Sequence, residues 1–345
     1  MGKILVTGGS GFMAGHIIQR LLAAGHVVFT TVRSEDKAAQ VRTTHAAHPS
    51  LRVLLSGDFV RPDAFDSVLA QLAPERLDVV LHTASPFQFD WSDPQTQAVD
   101  AAVNGVKSIF AAVAAHAPSV RRVVMTSSFA VLTNENRVFD PTFVYDEQSW
   151  NAGTADINIF DGFAYLVSKV SAERAAWAFM EERKPSFDLV TVCQGTTFGP
   201  PLHHVTSLSE LNFSGRWVAG LLRGEWKTEI PSTGPTTEWT DVRDAAEAHL
   251  RAMDLPPAPP GHRRRLLPIT GRGCHHDMAR FARDHFPELA HILPGPDVKG
   301  GEMPPEDQFC KFNNTETLKL LEGMQWTSLE TCVVDTIKVL KHCVV

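Results

Sequence analysis

A glycine-rich turn near the start of the chain constrains the fold more than any other feature. The sequence KILVTGGSGFMA (3–14) passes from an apolar run through glycines at 8, 9 and 11 into an amphipathic segment. This order of strand, tight turn and helix opens a dinucleotide-binding βαβ unit. Glycines let the backbone approach a pyrophosphate, whose charge is met by the N–H groups and the positive dipole end of the helix. The stretch therefore predicts nucleotide binding.

Charge and apolar content are those of an ordinary globular protein. The 345 residues include 32 basic and 39 acidic side chains, and the net charge of −7 argues against nucleic acid as a partner. No apolar run is long enough to span a bilayer, and the chain enters its first strand at once, without a signal peptide. We expect a cytoplasmic protein without a membrane partner.

The spacing of cysteines and histidines gives no sign of a disulfide framework or a metal site. The five cysteines lie singly at positions 193, 274, 310, 332 and 343, which fits a reducing compartment. The histidine pairs 203–204 and 275–276 are adjacent and so are not spaced for one helical face. We therefore expect no metal ligands.

Segments that suit strands alternate with segments that suit helices along the first 250 residues. This alternation predicts the α/β class, with a doubly wound parallel sheet of the Rossmann type. The predicted helices cover 11–24 and 96–116, and the predicted strands cover 27–32, 52–55, 78–82, 122–125 and 188–192.

Proline and glycine become more frequent beyond residue 193, which predicts a smaller substrate-binding lobe towards the C-terminus. Residues 1–192 would form the nucleotide-binding domain, with a return segment at 236–255, and residues 193–235 and 256–345 would form the lobe. In the lobe, Leu211, Phe213 and Trp217 could line the substrate pocket or could belong to the core.

The end of the second predicted strand indicates which nicotinamide cofactor is bound. An acidic residue there would bind a ribose 2′-hydroxyl, but this chain has Arg33 and, one turn later, Lys37. Cations at this place suit a 2′-phosphate, so NADP(H) is favoured. The same two side chains could instead be the solvated start of a helix.

The ends of the third and fourth strands supply further candidates for the cofactor site. Asp58 could accept a hydrogen bond from the adenine amine, or it could cap the next helix. The loop 83–87 follows the fourth strand. Because loops at the carboxyl ends of parallel strands line the ligand crevice, we expect it to pass over the cofactor.

Tyr165 and Lys169 are the candidates for chemistry; such a pair alone could lie on the surface, but here it follows a nucleotide-binding turn and a Ser-rich strand end. At a spacing of four residues on a helix they lie on one face, within reach of one substrate and one cofactor ribose. A free phenol has a pKa of about 10 and is a poor acid or base at neutral pH. A neighbouring ammonium would favour the phenolate and lower that pKa.

These residues stand within motifs that resemble the extended short-chain dehydrogenases/reductases. The resemblance covers most of residues 1–250, and it is strongest to fungal ketone and aldehyde reductases and to plant dihydroflavonol 4-reductases. The matching motifs are TGGSGFMA (7–14), TVRS (31–34), HTASPF (82–87), AVNGVKSI (102–109), RRVVMTSS (121–128), DEQSW (146–150), AYLVSK (164–169) and TDVRDAAEAH (240–249).

The resemblance implies a role for each candidate position. For catalysis, Ser128 would bond the carbonyl oxygen, Tyr165 would donate a proton to it, and Lys169 would hold the nicotinamide ribose. The substrate would contact Phe87, Ser128, Tyr165 and Gln194. The cofactor would contact Gly8, Gly11, Phe12 and Met13 at the pyrophosphate turn, Arg33 and Lys37 at the 2′-phosphate, Asp58 and Phe59 near the adenine, and Thr83, Ala84 and Ser85 along the loop.

One departure from the family pattern lies just after the strand at 188–192. Cys193 and Gln194 stand where relatives usually carry Asn-Pro, beneath the nicotinamide. Cys193 could be a nucleophile, although a small buried side chain is the simpler interpretation. The altered pair could change nicotinamide placement or substrate choice.

The function predicted from these features is NADPH-dependent reduction of a small or aromatic ketone or aldehyde, in secondary metabolism or carbonyl detoxification. We expect a monomer or a homodimer. Two alternatives remain open at this point. One is a sugar-nucleotide epimerase or dehydratase, although Ser128 is followed by Phe129 and Ala130 instead of an acidic pair. The other is a non-catalytic NADP-binding protein.

Overall fold

A computed structural model describes most of the chain, namely residues 1–58, 61–86, 91–133, 137–151, 163–203, 205, 207–234 and 237–343. Strands and helices alternate along it as the sequence predicts. The strands are β1 (Lys3–Thr7), β2 (Val27–Val32), β3 (Leu51–Leu55), β4 (Val79–His82), β5 (Arg122–Thr126), β6 (Val144–Tyr145), β7 (Asp188–Val192), β8 (Thr196–Phe198), β9 (Glu238–Asp241), β10 (Arg264–Leu266), β11 (Gly271–Arg272) and β12 (Lys311–Phe312).

The longer helices follow the strands of the first half and then build the C-terminal region. They are α1 (Phe12–Ala23), α2 (Glu35–Thr44), α3 (Asp66–Leu72), α4 (Ala101–His116), α5 (Ala164–Arg183), α6 (Gly215–Leu222), α7 (Val242–Ala252), α8 (His275–His285), α9 (Thr315–Leu320) and α10 (Leu329–Leu340).

Seven parallel strands form the central sheet, in the order β10-β7-β5-β4-β1-β2-β3. The chain moves outwards from β1 in both directions, so the strand order reverses between β1 and β4. In doubly wound sheets the crevice at this switch point, at the carboxyl ends of the strands, binds the ligand. The predicted fold class is therefore confirmed, and the topology fixes where the site lies.

Helices cover both faces of the sheet because its strands are apolar on both sides. On one face α1 and α7 pack together, and Ile17, Leu21 and Met253 contribute to that core. On the other face α3, α4 and α5 bury Phe65 and Phe110. The backbone of the site is thus held from both sides of the sheet.

The C-terminal region has a core of its own, built from α6, α8 and α10 around residues such as Val218, Phe281 and Ile337. A small sheet of β8, β9 and β11 joins this region to the main sheet. One boundary differs from the prediction, since the segment at 264–266 was assigned to the lobe. It forms β10 at the edge of the main sheet, where it pairs in parallel with β7 and Leu266 lies opposite Val192.

The helical segment Gln95–His116 contradicts one expectation from the sequence. It is long and apolar enough, by length and composition, to cross a membrane. Within its most apolar 18-residue window 61% is buried, and α4 packs against α3 and α5 in the core. The segment was missed because polar residues interrupt its apolar run. Its burial is typical of a core helix.

Candidate active site

The turn after β1 forms a cradle of bare backbone. Gly8 has a φ of +74°, and a Cβ there would lie 3.0 Å from the Cα of Ala84. Gly11 is the N-cap of α1, and its N–H donates to the carbonyl of Gly8 at 2.9 Å. Within the described part of the chain no side chain caps this helix end, so its first N–H groups can bind an anion. The turn therefore fits the pyrophosphate of a dinucleotide.

Phe12 and Met13 form the first turn of α1 directly beyond this cradle, and both are partly exposed. A cleft runs from the turn towards α2, where Gln40, Thr44 and His45 line it. Leu202 and His203 from the C-terminal region close it. The Leu202 end of the lobe therefore faces the nucleotide turn.

The structure places Arg33 and Lys37 together at the carboxyl end of β2, and both are exposed. Ser34 caps α2 by accepting from the N–H of Lys37 at 3.3 Å, which fixes the first turn that carries this lysine. Asp58 is exposed after β3, at the same edge of the sheet. Phe59 lies outside the described residues. The exposed cations fit a phosphate on the adenosine ribose.

The loop after β4 is bonded to the turn after β1. Thr83 donates from Oγ1 to the carbonyl of Thr7 at 2.6 Å, and the Ala84 N–H donates to Thr7 Oγ1 at 3.2 Å. His82 Nδ1 lies 2.9 Å from the same hydroxyl, and burial lowers the pKa of His82 to about 3, so the ring is neutral. These bonds hold the two loops in one arrangement. Phe87 lies outside the described residues.

Tyr165 lies in the first turn of α5 and forms a side-chain hydrogen bond with Ser128, which lies just after β5. Burial raises the pKa of Tyr165 above its ordinary value, and a hydrogen bond with Ser128 opposes that rise. The sequence predicted the opposite direction, a pKa lowered by Lys169. It was wrong because partial burial of the phenol disfavours its charged form. A phenol that keeps its proton at neutral pH suits proton donation.

Lys169 joins α5 to the loop after β4. Its Nζ donates to Ser85 Oγ at 3.1 Å and lies 5.7 Å from the centre of the Tyr165 ring. Burial lowers the pKa of Lys169 to about 8, although Glu173 one turn further along raises it. The structure thus brings the predicted Ser85, Tyr165 and Lys169 together on one side of the crevice.

Cys193 and Gln194 follow β7, directly beside the Ser128 segment. Gln194 accepts from the N–H of Phe129 at 2.8 Å. Cys193 is fully buried, and its Sγ lies 3.6 Å from Glu173 Oε2. Burial raises the pKa of Cys193 to about 12, so the thiol is neutral. Cys193 is therefore a packed side chain beneath the site.

Sequence reasoning missed a buried polar network below these residues. Glu173 and Arg265 form an ion pair of 2.8 Å with neither side chain exposed. Glu173 also accepts a hydrogen bond from Ser127, the neighbour of Ser128. One signal was available, because Glu173 lies four residues after Lys169 and so shares its helix face.

The three apolar residues predicted either to line the substrate pocket or to belong to the core, Leu211, Phe213 and Trp217, have different surroundings in the structure. Leu211 is buried in the core of the C-terminal region. Trp217 lines a second small cavity with Phe198 and His275, and Phe213 packs edge-on against Trp217. Among the described lining residues of that cavity, neither Ser128 nor Tyr165 occurs. The core interpretation is thus the better one for Leu211.

Comparison with known proteins identifies the family and agrees with the fold. The model of the NAD dependent epimerase/dehydratase family matches residues 4–263. The chain is 38% identical to the ketoreductase azaE of Aspergillus niger over 339 residues, which cover 97% of this chain and 96% of that protein. It is 32% identical to an NADPH-dependent methylglyoxal reductase of Saccharomyces cerevisiae, over 97% and 96% of the two chains.

A solved structure gives the same result for the fold. The yeast methylglyoxal/isovaleraldehyde reductase complexed with NADPH superposes with a TM-score of 0.86 at 30% identity. The match covers 99% of this chain and 98% of that one. The chain is therefore a member of the NAD-dependent epimerase/dehydratase family, with the fold of an extended short-chain dehydrogenase/reductase.

Proposed function

We propose that this protein, an NADPH-dependent carbonyl reductase, reduces a ketone or aldehyde in the crevice at the carboxyl ends of β4, β5 and β7. The oxidoreductase activity and the cofactor follow from its homology to ketoreductases and NADPH-dependent reductases. The residue roles rest on one observation. The Tyr165–Ser128 and Lys169–Ser85 hydrogen bonds bring three separate elements to one point.

In the proposed mechanism, Ser128 and Tyr165 hold the carbonyl oxygen between their hydroxyl groups. When bound, NADPH supplies the hydride. As negative charge develops on the oxygen, Tyr165 donates its proton, which its raised pKa keeps in place at neutral pH. Lys169 Nζ, 5.7 Å from the centre of the phenol ring, would place positive charge near the phenolate that remains after the proton transfer.

The proposed cofactor site extends from this point along the carboxyl edge of the sheet. Gly8, Gly11, Phe12 and Met13 would face the pyrophosphate through bare backbone. Arg33 and Lys37 would bind the 2′-phosphate, and Asp58 and Phe59 would lie at the adenine. Thr83, Ala84 and Ser85 would pass along the cofactor, with Phe87 and Gln194 on the substrate side.

We also propose that the chain divides into a cofactor domain, 1–192 with 236–255, and a substrate lobe, with β10 reassigned to the cofactor domain. The separate core around α6, α8 and α10 supports this division. We propose a cytoplasmic reductase of small carbonyl compounds, and the net charge of −7 argues against a nucleic-acid partner. Light scattering would distinguish the expected monomer or homodimer.

The test is NADPH consumption by the purified protein on aldehydes, diketones and aryl ketones, with NADH in parallel. We expect turnover that prefers NADPH and that Tyr165→Phe reduces at least 100-fold, because the proton donor is lost. Unchanged turnover in Tyr165→Phe would overturn the assigned role. The epimerase or dehydratase alternative is not favoured, since the relatives named above are reductases.

A further inference from the structure

The side-chain carbonyl of Gln194 is a buried acceptor that lacks a hydrogen-bond partner among the described residues. Gln194 is 8% exposed, and its Oε1 is shielded from solvent. Such an atom gives up its bonds to water on folding and destabilises the protein until a donor reaches it. Gln194 follows β7 at the carboxyl edge of the sheet, where the ligand crevice lies, so a ligand bound there can supply this donor.

The backbone around Gln194 is fixed on every side. Its carbonyl accepts from the N–H of Phe129 at 2.8 Å, directly after Ser128. The Cys193 N–H donates to the Leu266 carbonyl at 2.7 Å, and the Gly195 N–H donates to Thr240 Oγ1 at 3.1 Å. The Gln194 side chain therefore starts from a backbone position that is held next to the Ser128 segment.

We propose that Gln194 Oε1 accepts a hydrogen bond from a donor group, an amide N–H or a hydroxyl, on the ligand bound beside Ser128. The donor can come from the carboxamide of the nicotinamide or from a group next to the reacting carbonyl of the substrate. Hydride transfer brings the nicotinamide ring and the substrate together, so the carboxamide and the group next to the carbonyl would both lie within a few ångström of the carbonyl that Ser128 holds. The inference rests on the proposed role of Ser128, and it adds the group that the preferred ligand must carry.

The first arm of the test measures cofactor binding without turnover. Calorimetry compares NADP⁺ with its acetylpyridine analogue, in which a methyl group replaces the carboxamide NH₂, on wild type and on Gln194→Met. If the carboxamide is the donor, wild type prefers NADP⁺ by roughly tenfold and the variant binds both alike. Thr270→Val is the control, because Thr270 Oγ1 also lacks a described partner but lies after β10. It should keep the wild-type preference.

The second arm measures kcat/KM for two carbonyl compounds that differ only in a hydroxyl on the carbon next to the carbonyl. If the substrate is the donor, wild type prefers the hydroxylated compound by roughly tenfold and Gln194→Met loses that preference. Loss of either preference in Gln194→Met supports the proposal and identifies the source of the donor.

The proposal is overturned if Gln194→Met changes neither preference. If this variant does not fold, wild type alone decides, since equal affinity for the two nucleotides and equal kcat/KM for the two carbonyls would overturn it. A failure of the proposed function looks different. In that case no carbonyl turns over, while the preference for NADP⁺ over its analogue still reports on Gln194.

Discussion

Glu173 Oε1 and Arg265 Nε lie 2.8 Å apart in an ion pair from which solvent is fully excluded. The two residues are 92 positions apart in the chain and come from α5 and β10. Glu173 also bonds Thr191 at 3.1 Å and Ser127, so one carboxylate reaches three neighbouring strands of the main sheet. The helix that carries Tyr165 and Lys169 is therefore fixed to the strand end that carries Ser128.

Arg265 connects the same network to the segment 147–150, which precedes α5 in the chain. Its Nη1 donates to the carbonyls of Glu147 at 3.2 Å and Ser149 at 2.5 Å. Its guanidinium also lies 4.3 Å from the centre of the Trp150 ring. This stacking suits a planar delocalised cation better than it would suit lysine.

Breaking this pair from one side should be strongly destabilising. Glu173→Gln leaves the Arg265 charge buried without its counter-charge, and we expect the free energy of unfolding to fall by about 3–5 kcal/mol. Arg265→Met should cost a similar amount, and the double variant less than the sum of the two. Urea unfolding followed by circular dichroism measures all three.

The exposed pair of Arg61 and Asp63 is the matched control for this prediction. Its guanidinium and carboxylate are 3.0 Å apart, but their side chains are 69% and 60% exposed. Arg61→Gln should change the free energy of unfolding far less than Glu173→Gln does, because water screens the exposed pair. Equal effects of Arg61→Gln and Glu173→Gln would contradict the importance given to burial.

Strand bounds, helix ends and helix faces could be predicted from the sequence, because each depends on residues that are close together in the chain. The apolar run at 27–32 is β2, with the same bounds, and Gly25 ends the preceding helix with a φ of +80°. The spacing of Tyr165 and Lys169 correctly placed both on one face of α5. Such features depend on residues within a few positions of each other.

Contacts between distant segments could not be predicted in the same way. Nothing near Arg265 in the sequence indicates that it will meet Glu173, and β8 and β9 have only three and four residues each. The pKa direction of Tyr165 was missed for the same reason, since burial depends on the whole fold. The sequence thus predicts the candidate site residues, whereas their electrostatics depend on the whole fold.

Lys169 should limit activity at alkaline pH. Its pKa is lowered by burial to about 8, so it loses its charge as the pH rises through that value. We expect kcat/KM for the carbonyl to be constant below pH about 7 and to fall above pH about 8. Lys169→Arg stays charged past pH about 10 and should show a lower but flat profile. A wild-type profile that stays flat to the same pH would contradict this role.

Arg33 should decide between the two nicotinamide cofactors. Arg33→Ala removes one of the two cations at the end of β2, and we expect the KM for NADPH to rise roughly tenfold with little change for NADH. Arg42→Ala is the control, because this exposed cation of α2 is paired with Glu35 at 3.9 Å. An equal rise of KM for both cofactors in Arg33→Ala would indicate a loss of structure instead of a lost phosphate contact.

Gly8, in the turn after β1, and Gly25, after α1, allow the effect of backbone strain on stability to be separated from the effect on NADPH binding. Gly8 and Gly25 have φ values of +74° and +80°, so an alanine at either position is strained to a similar degree. They differ in their surroundings. A Cβ at Gly8 would lie 3.0 Å from the Cα of Ala84, whereas a Cβ at Gly25 would have no described atom within 4 Å.

We therefore expect Gly25→Ala to lower the free energy of unfolding by about 1–2 kcal/mol and to leave the affinity for NADPH unchanged. Gly8→Ala should lower it further and should weaken NADPH binding at least tenfold, because the added methyl group separates the two loops that face the cofactor. Thermal unfolding and the fluorescence change of NADPH on binding measure the two effects separately. If the two variants bind NADPH equally well, the turn after β1 does not hold the pyrophosphate.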